Sequence, residues 1–462
     1  MTAEFNAEDI IDICGARLAQ GLMPDGAGQI CTDTRALQEG QWYLALSGET
    51  FDGHDFLGDA FAAGALGAIV AERSSYPIGN STFPLMAVQD SLDAFHDLAR
   101  NWRRRINPKV IGVTGSSGKT TTKEMCASVF GAALRCHKSK ANENNEFGVP
   151  KTLLNMPDDT QVAIIEMAMR GLGQIDQLAR CAAPDVGIIT NAGSAHLELL
   201  GSLENIARAK CELLKHLRGG GVAIIGRQTP ELMKVLPEFW QGRTHLFDDS
   251  SVTVVGITDI GTQFKVKGLQ STFEVRAHGE PLLQDAWCVV MAAHELGVEE
   301  QLIVRGLRQF EVVGGRGNRM VGREGSLLID ESYNGNPDSV KASVAGILAD
   351  TACPQKKRIV VVGELAELGP QGPELHRELG QWLKDKSLHA LITVGHLARN
   401  IAEGAQGANF DVIPCADQNE AETELTRRLD SDACILIKGS RRAALDKLVA
   451  RIATSKPVEK EH

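Results

Sequence analysis

The densest chemistry in this chain lies in one loop, Gly112-Val-Thr-Gly-Ser-Ser-Gly-Lys-Thr-Thr121. It follows an apolar run and leads into a helical stretch, the order that lets backbone N–H groups wrap an anion at a helix N-terminus. Gly115 and Gly118 permit the tight path, Lys119 offers charge to the β- and γ-phosphates, and Thr120 offers a hydroxyl to a divalent cation. Thr114, Ser116, Ser117 and Thr121 complete the loop. In the common pattern, G-x-x-x-x-G-K-[ST], the first glycine would stand where this chain has Val113, and Gly112 falls one residue early. A Gly/Ser turn on its own would be weak, but strand, loop, GKTT and helix in sequence predict a nucleotide site of a variant kind.

Three other side chains have the right chemistry to work beside it. Glu166 breaks the apolar run VAIIEMA, either as a carboxylate exposed at a strand end or as a cation ligand. His196 follows Asn191-Ala-Gly-Ser-Ala and reads as a packed or capping histidine, or as an imidazole donor. Lys210 lies in Ser202–Leu217, where Leu203, Ile206, Ala207, Leu213, Leu214 and Leu217 trace one helical stripe and Glu204, Arg208, Glu212 and Lys215 the solvated face. Lys210 falls on the apolar stripe. It either snorkels at its edge or is desolvated enough to lose its proton, react with CO2 and become an anionic carbamate. Hydroxyl, carboxylate, imidazole and carbamate together would suit Mg²⁺ ions bridging phosphates.

The elements that must position these groups are legible as apolar runs. VIGVTG, VAIIEMA, DVGIITNAG and GVAIIG alternate with helical stretches, the signature of a parallel sheet covered on both faces. SLLIDES, RIVVVGEL, ALITVG and ACILIKGS form a second α/β unit after the turn-rich VVGGRGNRM. QWYLALSG and SLDAFHDLARNWRRR give a strand and a helix before the Asn-Pro-marked link near 107. The division expected is therefore 1–107, 108–312 and 313–462, all α/β, with the tail SKPVEKEH frayed. Ligands gather beyond the carboxyl ends of parallel strands, and the loop, Glu166 and His196 each follow such a strand.

Composition excludes several classes. The chain has 462 residues, 43% of them hydrophobic, enough for several cores, and a formal charge of −11, which disfavours non-specific nucleic-acid binding. Its 10 cysteines are scattered without a C-x-x-C pair, as expected of reduced thiols in a cytoplasmic chain without structural zinc. The acidic start MTAEFNAEDI lacks the basic n-region and apolar run expected of a signal peptide, and no apolar run is long enough for a membrane span.

With these residues on the page, the chain resembles the Mur ligase family over nearly its whole length. The family loop has the form G-x-T-G-[SN]-x-G-K-T-T, which accounts for Val113. Thr32-Asp-Thr-Arg35 and Leu46–His54 look like its UDP-sugar domain, and Asn142–Pro150 like its N-x-N-N-x-x-G-x-P loop. Ile165–Ala168, Thr190–His196 and Ala209–Glu212 look like its metal motifs, with Lys210 on the carbamylated lysine. Asp330–Ser339, Glu367-Leu-Gly369 and Lys438–Arg441 are similar to the branch that adds D-alanyl-D-alanine to UDP-N-acetylmuramoyl-tripeptide.

The resemblance implies a central ATP-binding P-loop-type sheet, a smaller N-terminal UDP-sugar domain and a C-terminal Rossmann-like domain for the incoming amine. It implies an ATP- and Mg²⁺-dependent amide ligase of peptidoglycan synthesis, cytoplasmic and monomeric, working through an acyl phosphate. Lys119, Glu166, His196 and Lys210 would be catalytic, with Thr120, Glu166, His196 and carbamylated Lys210 holding metal. Asn191, Arg316 and Asp330 would join the loop at the nucleotide. Asp33, Thr34, Arg35, Asn144, Asn145, Asn334 and Asn336 would meet the other substrates, although Arg35 reads equally as a surface charge and Asn334–Pro337 as a plain turn. Two departures stand out. Pro281-Leu-Leu-Gln-Asp285 replaces the H-N-x-x-N that carries adenine contacts, and Gly226-Arg-Gln-Thr-Pro230 replaces N-x-D-[DN]. Competing readings are a folylpolyglutamate-type ligase, a P-loop switch or motor protein, and a diverged regulatory paralogue with weak turnover.

Overall fold

The computed structural model describes residues 2–48, 50–73, 75–78, 82–258, 261–276, 278–349 and 357–454. Glu49, Cys353 and the tail SKPVEKEH lie outside the described residues. The other nine cysteines are free thiols.

The central sheet is six-stranded and wholly parallel. Its order is Arg243–Leu246, Val222–Ile225, Val186–Ile189, Lys109–Thr114, Val162–Glu166 and Cys136–Lys138. All four runs read as strands of this sheet are there, because a strand buried on both faces must be apolar at every position. Alternate residues feed separate cores: Ala163 and Ile165 belong to one, Val162 and Ile164 to the other. Helices Lys119–Gly131, Glu280–Glu295 and Glu300–Gln309 cover the second face.

The C-terminal sheet is also six-stranded, with Leu327–Glu331, Ala433–Lys438, Lys357–Gly363, Ala390–Val394 and Asp411–Cys415 parallel and Asn318–Val321 antiparallel at one edge. The N-terminal sheet has five strands, Arg17–Gln20 antiparallel and the rest parallel. One face of it, with Trp42, Leu44, Ile69 and Met86, shares a continuous core with the central sheet. Helix Ser91–Ile106 sits in that shared core. Asp90 caps its start by accepting from Leu92 and Asp93 N–H, and its far end docks through Trp102 Nε1, which donates to Met156 O at 2.9 Å. Arg103 Nε donates to Ala182 O at 2.7 Å.

Two local expectations fail. The middle stretch is not purely α/β: Val252–Ile257, Thr262–Val266 and Thr272–Val275 form an antiparallel three-stranded sheet, with Phe264 and Phe273 packed on the second central core. The helix carrying Lys210 ends at Cys211 and continues as a tighter turn, Glu212–His216. As a result Glu212 leaves the solvated face. It is buried, and its carboxylate accepts from Gly173 N and Asp176 N at 2.7 and 3.1 Å, capping the neighbouring helix Gln174–Ala182. Leu203, placed on the apolar stripe, is exposed instead.

Candidate functional site

The phosphate loop leaves the strand Lys109–Thr114 and enters the helix Lys119–Gly131. Two glycines are forced by approach. A Cβ at Gly115 would lie 1.8 Å from Thr190 Oγ1, and one at Gly118, where φ is +81°, would lie 2.7 Å from Asp285 Oδ1. The loop is braced from the neighbouring strand's loop. Ser116 N donates to Asn191 O at 3.1 Å, Ser117 N to Asn191 Oδ1 at 3.1 Å, and Thr190 Oγ1 to Ser117 O at 2.5 Å. Lys119 curls back so that its Nζ donates to Gly115 O at 2.8 Å. Burial, countered partly by Glu166, holds its ammonium below the ordinary lysine range. This is the cradle a nucleotide phosphate requires: a helix start, close backbone and a poised cation.

Glu166 is fully buried at the end of its strand, so the exposed reading is excluded. Its Oε1 accepts from Thr120 Oγ1 at 3.2 Å and Asn144 Nδ2 at 2.8 Å, while its Oε2 is buried with no hydrogen-bond partner. A buried carboxylate oxygen without a hydrogen bond, met by the Lys123 ammonium only at 3.6 Å and beside a hydroxyl, fits a small hard cation as a closer partner. Among the described residues no three His, Cys, Asp or Glu side chains converge, so any ion here must draw its other ligands from phosphate and water. That is how Mg²⁺ is commonly held.

Lys123 was missed in the sequence. Fully buried, it places Nζ 3.6 Å from Glu166 Oε2 and donates to Ala141 O at 3.0 Å. Its position one helical turn beyond Lys119 was the available signal.

Lys210 is 1% exposed, and among the described residues no hydrogen bond or ion pair holds it. Burial first, then the charge of Lys119, pushes its ammonium well below the ordinary range. Desolvation therefore wins over snorkelling. His196 lies at the cleft, its Nδ1 2.6 Å from Glu367 Oε2 across the junction with the C-terminal sheet. The His196 contact and Arg170 together hold the Glu367 carboxyl below its usual range despite partial burial.

Between the central and C-terminal sheets opens a cleft of about 380 Å³, lined by Ser116, Ser117, Gly118, Lys119, Thr120 and Thr121 on one side. Asn144, Glu166, Asn191, His196, Arg316, Asn334 and Asn336 also line it. Arg316 lies 4.1 Å over the Tyr333 ring, with Arg441 5.0 Å from that ring's centroid. Pro281, Leu282 and Gln284 form part of the wall, so the first departure noted above falls on the cleft itself. Asp285 is buried behind Gly118; burial pushes its carboxyl well up, and Thr122 and Arg316 offset this only in part.

Several expected residues stand elsewhere. Thr114 is wholly buried in its strand, and Lys210 lies outside the cleft lining. Asp330 is behind the wall, its Oδ1 accepting from Ser332 N, while its neighbour Glu331 faces the cavity. Asn145 spends its Oδ1 on Gly148 N at the start of helix Gly148–Leu154. Asn336 does line the cleft, but its Oδ1 is spent on capping the next helix, accepting from Ser339 N. Asp33 and Arg35 form a two-point pair at 2.8 and 2.7 Å that lowers the Asp33 carboxyl to about 2, with a smaller contribution from Lys151. They and the half-buried Thr34 are not at this cleft.

Comparison with known proteins bears on what this arrangement is. Residues 113–290 match the Mur ligase middle domain, and 315–441 match the Mur ligase, glutamate ligase domain. A UDP-N-acetylmuramoyl-tripeptide–D-alanyl-D-alanine ligase of Synechocystis is 38% identical, covering 93% of this chain and 92% of its own length. The chain belongs to the Mur ligase family. The enzyme of the same name from Bacillus subtilis is 34% identical over 92% of this chain and 93% of its own. A crystal structure of MurF from Acinetobacter baumannii superposes with a TM-score of 0.87 at 30% identity, covering 97% of this chain and 98% of that one. MurF from Thermotoga maritima, in complex with ADP, superposes at 0.81 and 27% identity, covering 92% and 96%. No helix among the described residues is long and apolar enough to cross a membrane.

Proposed function

We propose that this chain is an ATP-dependent ligase that joins D-alanyl-D-alanine to the carboxyl of UDP-N-acetylmuramoyl-tripeptide. The observation that carries the reading is the buried Glu166 carboxylate beside Thr120, one oxygen of it without a hydrogen bond, at the foot of a phosphate loop and inside a cleft shared with a second α/β sheet. The long relatives of that name support the substrates.

A carboxylate is a poor electrophile, so amide formation needs the γ-phosphoryl of ATP moved onto it first. The amine then attacks the acyl phosphate and phosphate leaves. Such transfer depends on positioning and charge. Lys119, released from Gly115 O, faces the phosphates. Thr120 and Glu166 would hold one Mg²⁺, and His196 with carbamylated Lys210 a second. Mg²⁺, when bound, neutralises phosphate charge and draws the acceptor carboxylate close. The buried amine of Lys210 reacts with CO2, losing a proton, to give the carbamate. Arg316, stacked on Tyr333, closes over the nucleotide with the backbone near Asp330. Asn334 and Asn336 face the incoming dipeptide, and Asp33, Thr34 and Arg35 seat the UDP end, with Asn145 acting through the turn that presents Asn144. The working division is 1–107 for the UDP-sugar, 108–312 for ATP and 313–462 for the amine, in a cytoplasmic monomer.

The test is positional. With ¹⁸O in the tripeptide carboxyl, a ligase of this kind delivers label into inorganic phosphate during amide formation. Phosphate release without label transfer, or without amide, overturns the reading.

A further inference from the structure

One loop joins the phosphate loop to the C-terminal sheet. Residues Asn191–His196 follow the strand Val186–Ile189. On one side Asn191 O and Gly193 O accept from Ser116 N and Ser116 Oγ at 3.1 and 2.9 Å. On the other side Ser194 N and Oγ both donate to Asp338 Oδ2, at 3.0 and 2.9 Å. Two residues further on, His196 Nδ1 stands 2.6 Å from Glu367 Oε2 but off the line of a ring N–H bond, so this buried nitrogen has no aligned acceptor, and Glu198 N donates to Glu367 O at 3.2 Å.

The backbone at this last contact is unusual on both sides. His196 has φ +65° and Glu367 φ +61°, left-handed conformations that residues with a Cβ avoid. Strained residues persist where the surroundings over-determine them, and they cluster at functional sites. The contact itself is partly exposed, at 21% and 45% for the two side chains, and a polar pair so exposed adds little stability. Stability alone therefore does not account for two facing left-handed residues. The chemistry of an imidazole does. The partner of one ring nitrogen sets which nitrogen is left to ligate, and a metal-binding histidine commonly gives its other N–H to a carboxylate.

We propose that Glu367 is a positioning residue for His196: supplied by the C-terminal sheet, its carboxylate is the acceptor within reach of the unpartnered Nδ1–H, and a turn of the ring that makes this bond leaves Nε2 as the donor for the divalent cation. This rests on the ligase reading above, in which His196 is a ligand. It ties completion of the ligand set to docking of the C-terminal sheet. Phosphoryl transfer is then delayed until the amine's own sheet is in place, and the acyl phosphate is not left to water.

The experiment compares the full-length chain with Glu367→Ala and Glu367→Gln. Mn²⁺ binding with saturating ADP is followed by electron paramagnetic resonance, and the His196 tautomer by ¹⁵N NMR of the side chains. Glu367→Ala is expected to weaken the looser Mn²⁺ about 10- to 100-fold while leaving the tighter one unchanged. The same variant moves His196 from the Nδ1–H form toward a mixture. Glu367→Gln, whose amide oxygen still accepts, keeps the tautomer and loses less affinity. Unchanged Mn²⁺ binding and tautomer in Glu367→Ala, or in Glu367→Gln unchanged Mn²⁺ binding should the alanine variant not fold, overturns the assignment. A wild-type chain that makes no amide from the three substrates sinks the ligase reading instead, so the two failures are distinct.

Discussion

Gly118→Ala should weaken ADP binding, by an amount the structure allows to be divided. Gly118 sits at φ +81°, where a residue with a Cβ costs about 1–2 kcal/mol. The added methyl would also lie 2.7 and 2.8 Å from the two Asp285 oxygens, closer than real contacts, and overpacking of this kind costs about 1–3 kcal/mol. Together these give roughly 2–5 kcal/mol, a loss of about 30- to several thousand-fold in affinity. Asp285→Ala removes the obstruction. Because burial already pushes that carboxyl well up, the substitution removes a buried acid rather than a working ion pair. The double variant should keep only the backbone part, about 5- to 30-fold. Titration calorimetry with ADP on the four proteins closes the cycle, and a coupling of about 1–3 kcal/mol is expected. Additivity within about 0.5 kcal/mol would refute the claim that Asp285 is what forbids a side chain at Gly118.

Lys210→Ala should abolish amide formation with no rescue by bicarbonate, while ADP affinity stays within about threefold because Lys210 lies outside the nucleotide cleft; near wild-type turnover would end the carbamate role. Glu212→Ala should cost about 2 kcal/mol in urea unfolding, since it strips the carboxylate from two N–H groups at the start of helix Gln174–Ala182. The His376 ring is buried, accepts from Leu365 N at 3.0 Å and stands 2.7 Å from Gly372 O, and burial holds it below its ordinary range. The unfolded chain therefore takes the proton first. The contribution of the neutral ring is full above about pH 6.5 and declines as pH falls toward the lower folded value. His376→Gln should remove part of the drop in urea midpoint between pH 7.5 and 5.5 (about the range where an imidazole titrates), and an unchanged drop would count against it.

The strands of both large sheets were readable because burial on two faces leaves only apolar residues, a pattern that survives without any knowledge of neighbours. The phosphate loop was readable for a similar reason: its demands on Gly115, Gly118, Lys119 and Thr120 are local in the chain. What escaped depends on partners far away in sequence. Glu212 looked solvated because helical periodicity describes one face, whereas a second helix start at Gly173 meets it from the other side. The link of Lys123 to the site runs through Glu166, which lies in a strand distant in sequence. Asn145 and Asn336 carry the residue type of a ligand contact, yet their side chains also cap helices, and composition does not separate these uses. The alternating residues of 252–275 carry the sign of antiparallel strands, but inside a parallel rhythm that sign is masked by its surroundings.

The core shared by the N-terminal and central sheets has a consequence during synthesis. Helix Ser91–Ile106 leaves the ribosome before the residues it rests on, so the face with Phe95, Leu98, Ala99 and Trp102 must wait for Met156, Leu178 and Ala182. Until roughly the first half of the chain has emerged, that surface is a nascent-chain hazard, a natural substrate for a ribosome-bound holdase. A fragment cut at 107 would keep this hazard permanently, however well its own five strands paired.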